Sequence, residues 1–337
     1  AESGQKVLDL AADRAPDLII MNVGLPDIDG ITVCKNLRTR SDTKDVPIIL
    51  MSSMNETATR LAALGAGADE FLKKPVDEKH LLARVRNLLR SRVVAQELQF
   101  RQGTAIGLGF AEASDGFSRQ GRIALISNRP ATAVGWRNSL KGLSHDQIDV
   151  IPKEQVLVAF RRSDDRPDVI LIPATLDQPG DGLTLLAELR SRTETRHAAI
   201  IVVHEETDRQ SAVSALDMGA DDLLGSECHP KEMALRIRGQ LAKKLRADKL
   251  RDCVEDGLRL AMVDPLTGLY NRRYALPHMA RIAERSAISG RPFAAMVLDL
   301  DHFKHINDTY GHSTGDEVLK QISDRLRSNL RSVDLVC

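Results

Sequence analysis

The chain is poor in several residue types, and each shortage excludes a class of protein. Only 3% of its 337 residues are aromatic, so its cores must be built mainly from aliphatic side chains. Its four cysteines form no Cys-x-x-Cys pair, which argues against zinc and a disulfide framework and favours a reducing cytoplasm. Because no apolar run approaches the roughly 20 residues that cross a bilayer, we expect no membrane span.

An excess of charge of either sign is also missing. Lysine plus arginine and aspartate plus glutamate each number 47, so the formal net charge is zero. A DNA-binding protein would carry a basic excess or a basic face. We therefore expect no DNA partner, and a transcription factor is the least supported of the function classes.

What the chain does contain is an internal repeat, with a period of about 150 residues. Residues 16–31 and 167–183 each begin with Pro-Asp, continue as a short aliphatic run and end in a loop rich in Pro, Gly and Asp. In each copy, a helical pattern and a second aliphatic run follow. The copies then contain the similar segments A-L-G-A-G-A-D-E-F-L and A-L-D-M-G-A-D-D-L-L. This alternation predicts two doubly wound α/β domains with parallel sheets.

Both copies resemble the receiver domains of two-component signalling, which have a flavodoxin-like fold. The resemblance assigns residues 1–95 to a first receiver that lacks its opening strand, 96–120 to a linker, 121–245 to a second receiver and 246–263 to a helical stalk. Apolar residues near the stalk predict either a dimerising coiled-coil seam or the last receiver helix packing on its own sheet. They are Leu241, Leu245, Leu250, Val254, Leu258 and Ala261.

The phosphorylation site of the first receiver is altered. Phosphoryl transfer to a receiver needs an aspartate nucleophile, two acids that hold Mg²⁺, a Ser/Thr and a Lys. The first copy matches with Ser52 and the Lys74-Pro75 pair, but it has Asn22 at the phosphoacceptor position. Since an amide cannot form an acyl phosphate, Asn22 is not phosphorylatable. It is either natural to a pseudo-receiver or an engineered or drifted replacement of aspartate.

The second receiver departs further from the pattern. Ser127 and Asn128 replace the acid pair, and Pro173 replaces the nucleophile. His204 replaces the Ser/Thr, and Ser226 with Glu227 replaces the Lys-Pro pair. We therefore expect neither metal binding nor phosphorylation there, and interpret this domain as an adaptor.

A different sequence pattern begins at Asp264 with D-P-L-T-G-L-Y-N-R-R-Y, which predicts a turn followed by a helix. Further on, Phe293–Leu298 predicts a buried strand that ends at Asp299 and Asp301. Carboxylates at i and i+2 project from one side of a strand, and such a pair favours a hard cation, Mg²⁺ or Mn²⁺.

Polar groups that suit a nucleotide follow these acids. Lys304 lies at a predicted helix start, where an ammonium and free N–H groups favour a phosphate. Asn307 and Asp316 supply the amide and carboxylate that can recognise a purine edge, guanine rather than adenine. Any one of these pieces alone could be a loop cap or a turn, so the order of the whole series carries the interpretation.

That series, over residues 264–337, closely resembles the start of the GGDEF family of diguanylate cyclases, which have an α/β, palm-like domain. The resemblance implies that Asp299 and Lys304 are catalytic, and that GTP contacts the backbone at His302 and Phe303. It further implies that guanine is held by Asn307 and Asp316, and that the metal is bound by Asp299, the Leu300 carbonyl and, more weakly, Asp301.

The resemblance as a whole is to PleD-like response regulators, which carry two receivers and a GGDEF domain. It implies synthesis of cyclic di-GMP from two GTP by a homodimer joined through receivers and stalk, with a sensor histidine kinase as a candidate partner. Arg331 and Asp334 resemble the R-x-x-D site through which the product inhibits. The chain stops before the Gly-Gly-[Asp/Glu]-Glu-Phe loop of that family, so we expect it to make no cyclic di-GMP by itself. The alternative is an inactive pseudo-receiver scaffold that dimerises and binds cyclic di-GMP.

Overall fold

The computed structural model divides the chain into two compact units. The first comprises Ala1–Leu98 with Gly116–Lys249, and the second comprises Gln99–Asp115 with Leu250–Cys337. None of the helices described in either unit is long and apolar enough to cross a membrane. The structure describes residues 1–14, 16–53, 56–107, 119–143, 145–160, 166–331 and 334–337.

The first receiver contains a parallel three-stranded sheet in the order β1-β2-β3. Its aliphatic strands are buried by helices on both sides, and Ile48, Leu50, Val33 and Leu37 are fully buried between them. Its elements are α1 (Gly4–Arg14), β1 (Ile19–Asn22), α2 (Gly30–Thr39), β2 (Ile48–Ser52), α3 (Thr57–Gly65), β3 (Glu70–Lys73) and α4 (Glu78–Gly107).

The second receiver contains a parallel five-stranded sheet in the order β5-β4-β6-β7-β8. The order reverses at β4, as in a doubly wound sheet, so the predicted fold is confirmed. Its elements are β4 (Arg122–Ile126), α5 (Pro130–Leu140), β5 (Gln147–Ile151), α6 (Val156–Ala159), β6 (Val169–Pro173), α7 (Asp181–Ser191), β7 (Ala199–His204), α8 (Arg209–Asp217), β8 (Asp222–Gly225) and α9 (Pro230–Met262).

The internal repeat extends to single hydrogen bonds. Arg38 pairs with Asp69 at 2.8 Å, and Arg190 pairs with Asp221 at 2.5 Å. Each arginine also donates to three backbone carbonyls at matching places in its own receiver. These acceptors are Gly67, Lys44 and Val46 for the first, and Gly219, Arg196 and Ala198 for the second.

Two glycines show that the strand-to-helix turn is also shared. A Cβ on Gly30 would lie 2.3 Å from the carbonyl oxygen of Asn22, and a Cβ on Gly182 would lie 1.8 Å from that of Pro173. Both turns therefore require glycine, because any side chain would clash with the end of the preceding strand. The contacts also place Asn22 and Pro173 at equivalent positions, as the sequence predicted.

The helices extend further than the predicted boundaries. Helix α4 continues to Gly107, within the segment predicted as the 96–120 linker, and 108–118 lies outside the described residues. Helix α9 is continuous through the predicted stalk. Leu241 and Leu245 pack into the second receiver's core, so for these two the interpretation as a receiver helix packing on its own sheet is confirmed. Leu250 is buried, while the side chains predicted at Val254, Leu258 and Ala261 lie outside those described.

The second unit contains α10 (Arg272–Ser289), α11 (Phe303–Tyr310) and α12 (His312–Asn329). The prediction of a buried strand at Phe293–Leu298 was wrong. This segment is irregular, and Val297 is 96% exposed. A strand needs a hydrogen-bonded neighbour, and no described residue of the second unit pairs with this segment, so its aliphatic sequence alone does not make it a strand.

Candidate functional site

The loop from Asp264 to Tyr270 has the fixed shape that its sequence predicted. The Asp264 carboxylate accepts hydrogen bonds from the Thr267 N–H at 2.9 Å and from the Thr267 hydroxyl at 2.8 Å. Gly268 has a φ of 67°, which favours glycine, and its N–H donates to the Asp264 carbonyl at 2.9 Å. The Asn271 side chain then caps α10 by accepting from the Tyr274 N–H at 3.0 Å.

Helices α11 and α12 place Asn307 against Gly315, the residue that precedes Asp316. They pack at a close approach, because a Cβ on Gly315 would lie only 1.9 Å from Asn307 Oδ1. Gly315 is buried, and Asp316 follows it directly on the same turn of α12. Glycine at 315 therefore lets the Asn307 amide lie against the start of α12, next to the Asp316 backbone.

The predicted metal ligands precede α11. Asp299 and Asp301 are exposed, and the Leu300 carbonyl accepts a hydrogen bond from the Phe303 N–H at 3.3 Å. His302 has a φ of 61°, which is uncommon for a residue with a side chain, and this turn starts the helix at Phe303. Two carboxylates and a carbonyl are hard oxygen donors, so the residue types fit a divalent cation.

Two details of this segment were not predicted. The Leu300 carbonyl and the Phe303 N–H, expected to contact the metal and the triphosphate, bond to each other at 3.3 Å, slightly longer than a usual N–H···O hydrogen bond. Among the described residues, no three acidic, histidine or cysteine side chains cluster closely enough to hold a metal. Lys304 lies on the first turn of α11, as predicted, and is exposed.

Arg331 and Asp334 form a fork-like pair. Arg331 Nε lies 3.2 Å from Asp334 Oδ2, and its Nη2 donates to Asp334 Oδ1 at 3.3 Å. The hydrogen bonds from Arg331 lower the pKa of Asp334 below its usual value. The pair borders a shallow pocket on the Asp264–Tyr270 loop, lined by Gly268, Leu269, Tyr270, Arg327, Leu330, Arg331, Asp334 and Val336.

In the first receiver, the predicted phosphorylation residues meet at the carboxyl edge of the sheet. Asn22 pairs in register with Met51, next to Ser52, and the Lys74 N–H donates to the Ser52 carbonyl at 2.8 Å. The Lys74-Pro75 peptide bond is cis. Asn22 is exposed and Ser52 is buried.

The second receiver has the same backbone contacts with different side chains. The Ser226 N–H donates to the His204 carbonyl at 2.8 Å, as Lys74 does to Ser52. His204 and Ser226 therefore occupy the positions of Ser52 and Lys74, as the sequence predicted. Neither offers the ammonium that would neutralise a phosphate.

A buried ionic cluster within the first unit escaped sequence analysis. Arg84 lies 2.8 Å from Glu70 and also pairs with Asp222 of the second receiver. Arg236 contacts the same two carboxylates, Glu70 at 2.7 Å and Asp222 at 3.0 Å. Burial raises the pKa of Glu70, but Arg236 and Arg84 outweigh it and lower that pKa to about 2. The signal that could have revealed the cluster is the repeat, which has an acid and an arginine at equivalent places in both copies.

Comparison with known proteins accounts for both ends of the chain. Residues 1–86 match the response regulator receiver domain, and residues 261–337 match the family "Diguanylate cyclase, GGDEF domain". The chain is 35% identical over 341 residues to the response regulator PleD of Caulobacter vibrioides (strain NA1000 / CB15N), covering 100% of this chain and 74% of that protein. The chain belongs to the PleD family of response regulators.

Two further similarities cover shorter parts of the chain. The response regulator MprA of Mycobacterium sp. (strain KMS) is 42% identical over 90 residues, which is 27% of this chain and 38% of that protein. The crystal structure of a receiver domain of a signal transduction histidine kinase from Syntrophus aciditrophicus is 23% identical, with a TM-score of 0.32. It covers 36% of this chain and 90% of that chain.

Membership in the PleD family gives the site its chemical context. The chain is a response regulator with a GGDEF domain of the diguanylate cyclase family. That domain class takes GTP and forms cyclic di-GMP, and both GGDEF and receiver domains generally use a divalent metal.

Proposed function

We propose that α11 and α12 carry the guanine-recognition part of a GTP half-site. The observation that carries the proposal is the approach of Asn307 to Gly315, which gathers an amide and the Asp316 residue on neighbouring helices. A carboxylate can accept two N–H bonds from guanine, which adenine cannot offer in the same way. The amide can both donate to and accept from the same base.

The phosphates and the metal belong to the segment just before α11. Lys304 and the backbone at His302 and Phe303 would contact the triphosphate, while Asp299, the Leu300 carbonyl and, more weakly, Asp301 would hold Mg²⁺ or Mn²⁺. Bound there, the cation supplies stabilisation of the negative charge that develops at the α-phosphate. The weak 3.3 Å bond between Phe303 and Leu300 is the contact that a ligand would replace.

Dimerisation is part of the proposal. One half-site holds one GTP, and each 3′-hydroxyl must attack the α-phosphorus of the other nucleotide, so two copies are needed. We propose that receivers and stalk bring the copies together. A sensor histidine kinase would act on the first receiver only where residue 22 is aspartate, and Asn22 removes that input from this chain.

Arg331 and Asp334 are proposed to bind the product as an inhibitor. An arginine fork suits a phosphate or a guanine edge, and Asp334 holds Arg331 in that orientation. The expected result is cyclic di-GMP binding that is lost in Arg331→Ala and retained in Arg325→Ala, a matched exposed arginine on α12. Equal binding by the two variants would contradict this assignment.

The 337-residue chain is proposed to be inactive as a cyclase by itself. Its sequence contains no Gly-Gly-[Asp/Glu]-Glu-Phe segment, which is the signature of the family. Incubation with GTP and Mg²⁺ should give no cyclic di-GMP, as measured by chromatography, and product formation would overturn the statement.

Guanine recognition can be tested by calorimetric titration of the chain with GTP and ATP. Gly315→Ala should weaken GTP binding at least about tenfold, because the new methyl displaces Asn307, and Asn307→Ala should do the same. Asp308→Asn is the matched control, since it changes an exposed neighbour on the same helix. Unchanged affinity in Gly315→Ala, or equal affinity for ATP and GTP, would contradict the half-site.

An inactive scaffold that dimerises and binds cyclic di-GMP is the second candidate, and Asn22 is the observation that favours it. A version of the chain that continues through a Gly-Gly-[Asp/Glu]-Glu-Phe segment should be compared with its Asn22→Asp variant, each treated with beryllofluoride and supplied with GTP and Mg²⁺. Product from the aspartate version alone would indicate a phosphorylation-gated cyclase. Equal product would reduce the first receiver to a dimerisation module, and no product from either version would favour the scaffold.

A further inference from the structure

The crevice at the carboxyl edge of the second receiver lies where the order of its strands reverses, between β4 and β6. In doubly wound sheets ligands bind outside the carboxyl ends of the strands at this point. The polar side chains gathered there come from loops after three different strands. They are Asn128 after β4, Lys153 after β5, and Asp177 and Asp181 after β6.

Lys153 is the only cation in contact with these acids among the described residues. Its Nζ donates to Asp181 Oδ2 at 2.8 Å and lies 3.6 Å from Asp177 Oδ2. Its backbone N–H donates to Asn128 Oδ1 at 3.2 Å, and the Asn128 amide donates to Asp177. The lysine therefore joins all three loops.

Asp181 is the centre of this arrangement. Its carboxylate accepts backbone N–H groups from Leu176 at 2.8 Å, Asp177 at 3.1 Å and Gln178 at 3.3 Å, besides the ammonium. Burial raises the pKa of Asp181, but the hydrogen bonds from Lys153 and these N–H groups outweigh burial. The pKa is therefore lowered well below its usual value, and the carboxylate stays ionised. Only 18% of its side chain is exposed, and that of Lys153 is 33% exposed.

We infer that Lys153 is a built-in cation that takes the role of a bound divalent ion at the carboxyl edge of the second receiver. An ammonium opposite two carboxylates supplies the positive charge that a metal would otherwise bring. It holds the loops after β4, β5 and β6 together without an external ligand. The second receiver is thus fixed in one arrangement of its crevice, independent of metal and of phosphorylation.

Removal of the ammonium should convert the crevice into a site that responds to divalent cations. The chain has a single tryptophan, Trp136, which packs on the second receiver's core and reports on the unfolding of that domain. Thermal unfolding would be followed by Trp136 fluorescence in choline chloride and in MgCl₂ of equal ionic strength. The wild-type midpoint should be the same in both salts.

Lys153→Ala should lower the midpoint by several degrees in choline chloride, and MgCl₂ should restore about half or more of that loss, because a ligand of the folded state stabilises it. Lys153→Arg keeps the positive charge and should behave like the wild type. Lys141→Ala, an exposed lysine of the same domain, is the matched control and should change neither midpoint. The double variant Lys153→Ala/Asp181→Asn should lose the response to MgCl₂.

Three results would overturn the inference. They are an unchanged midpoint in Lys153→Ala, a loss that MgCl₂ restores no better than choline chloride, and a wild-type midpoint that MgCl₂ itself raises.

Discussion

The two receivers of this chain share a framework and differ at the edge that would carry chemistry. In both, an arginine on the helix that follows β1 or β6 binds an equivalent aspartate and three backbone carbonyls, and a glycine at the start of that helix leaves room for the end of the preceding strand. At the carboxyl edge, the first receiver has Asn22, Ser52 and Lys74, whereas the second has Pro173 and an internal Lys153–Asp181 pair. Framework and site therefore vary independently, as expected when function resides in a few residues placed on a stable fold.

The buried ionic cluster joins the two receivers through four charged side chains. Arg84→Met would leave Glu70 and Asp222 buried with one positive partner fewer, and breaking a buried ion pair in this way costs about 3–5 kcal/mol. The free energy of unfolding, measured in urea by circular dichroism, should fall by that amount.

Arg86→Met is the matched control for this variant. Arg86 lies on the same helix and pairs with Asp217 of the second receiver, but both side chains are at least half exposed. Its loss should cost about 0–1 kcal/mol, because exposed pairs contribute little. Equal losses in the two variants would show that the buried cluster adds nothing special to the pairing of the receivers.

Acid should weaken the same cluster through Glu70. Its pKa in the folded chain is about 2, below the ordinary value of 4.5, so its stabilising contribution is complete above pH 4.5 and is lost as the pH falls toward 2. Glu70→Gln should be less stable at neutral pH but should lose less stability over this acid range. Urea unfolding at a series of pH values measures both slopes, and identical slopes would contradict the assignment to Glu70.

The strand-to-helix turn shared by the two receivers gives an effect that is smaller than that of the buried cluster and of similar size in both domains. Gly30→Ala and Gly182→Ala each push a methyl into the carbonyl of the preceding strand, and overpacking of this kind costs about 1–3 kcal/mol. Trp136 fluorescence should detect the loss in Gly182→Ala. Gly135→Ala, where a Cβ meets no neighbour within 4 Å, should be neutral. A large loss of stability at only one of the two turns would contradict the structural equivalence of the receivers.

Much of the framework could be predicted because its signals are local and repeated. Aliphatic runs ending in Pro, Gly and Asp predicted β1 and β6, and the repeat aligned Asn22 with Pro173 and Ser52 with His204. The fixed turn after Asp264 was likewise evident from its Asp, Thr and Gly residues.

The features that were missed depend on residues distant in sequence. Phe293–Leu298 looks like a strand, but strand formation requires a neighbouring strand, which the described part of the second unit does not provide. Lys153 was overlooked because it reaches Asp181 from another loop, and nothing in its own sequence context marks it as a partner of that acid. The Glu70–Arg236 contact likewise joins elements of two receivers.

The most direct test of the cyclase account is product formation by a version of the chain that continues through a Gly-Gly-[Asp/Glu]-Glu-Phe segment and has aspartate at residue 22. Incubation with GTP, Mg²⁺ and beryllofluoride, followed by chromatography, should yield cyclic di-GMP. Asp299→Ala should abolish the product, and Asp308→Asn should leave it unchanged. Failure to form cyclic di-GMP, or undiminished synthesis by Asp299→Ala, would contradict the assignment of the GTP half-site.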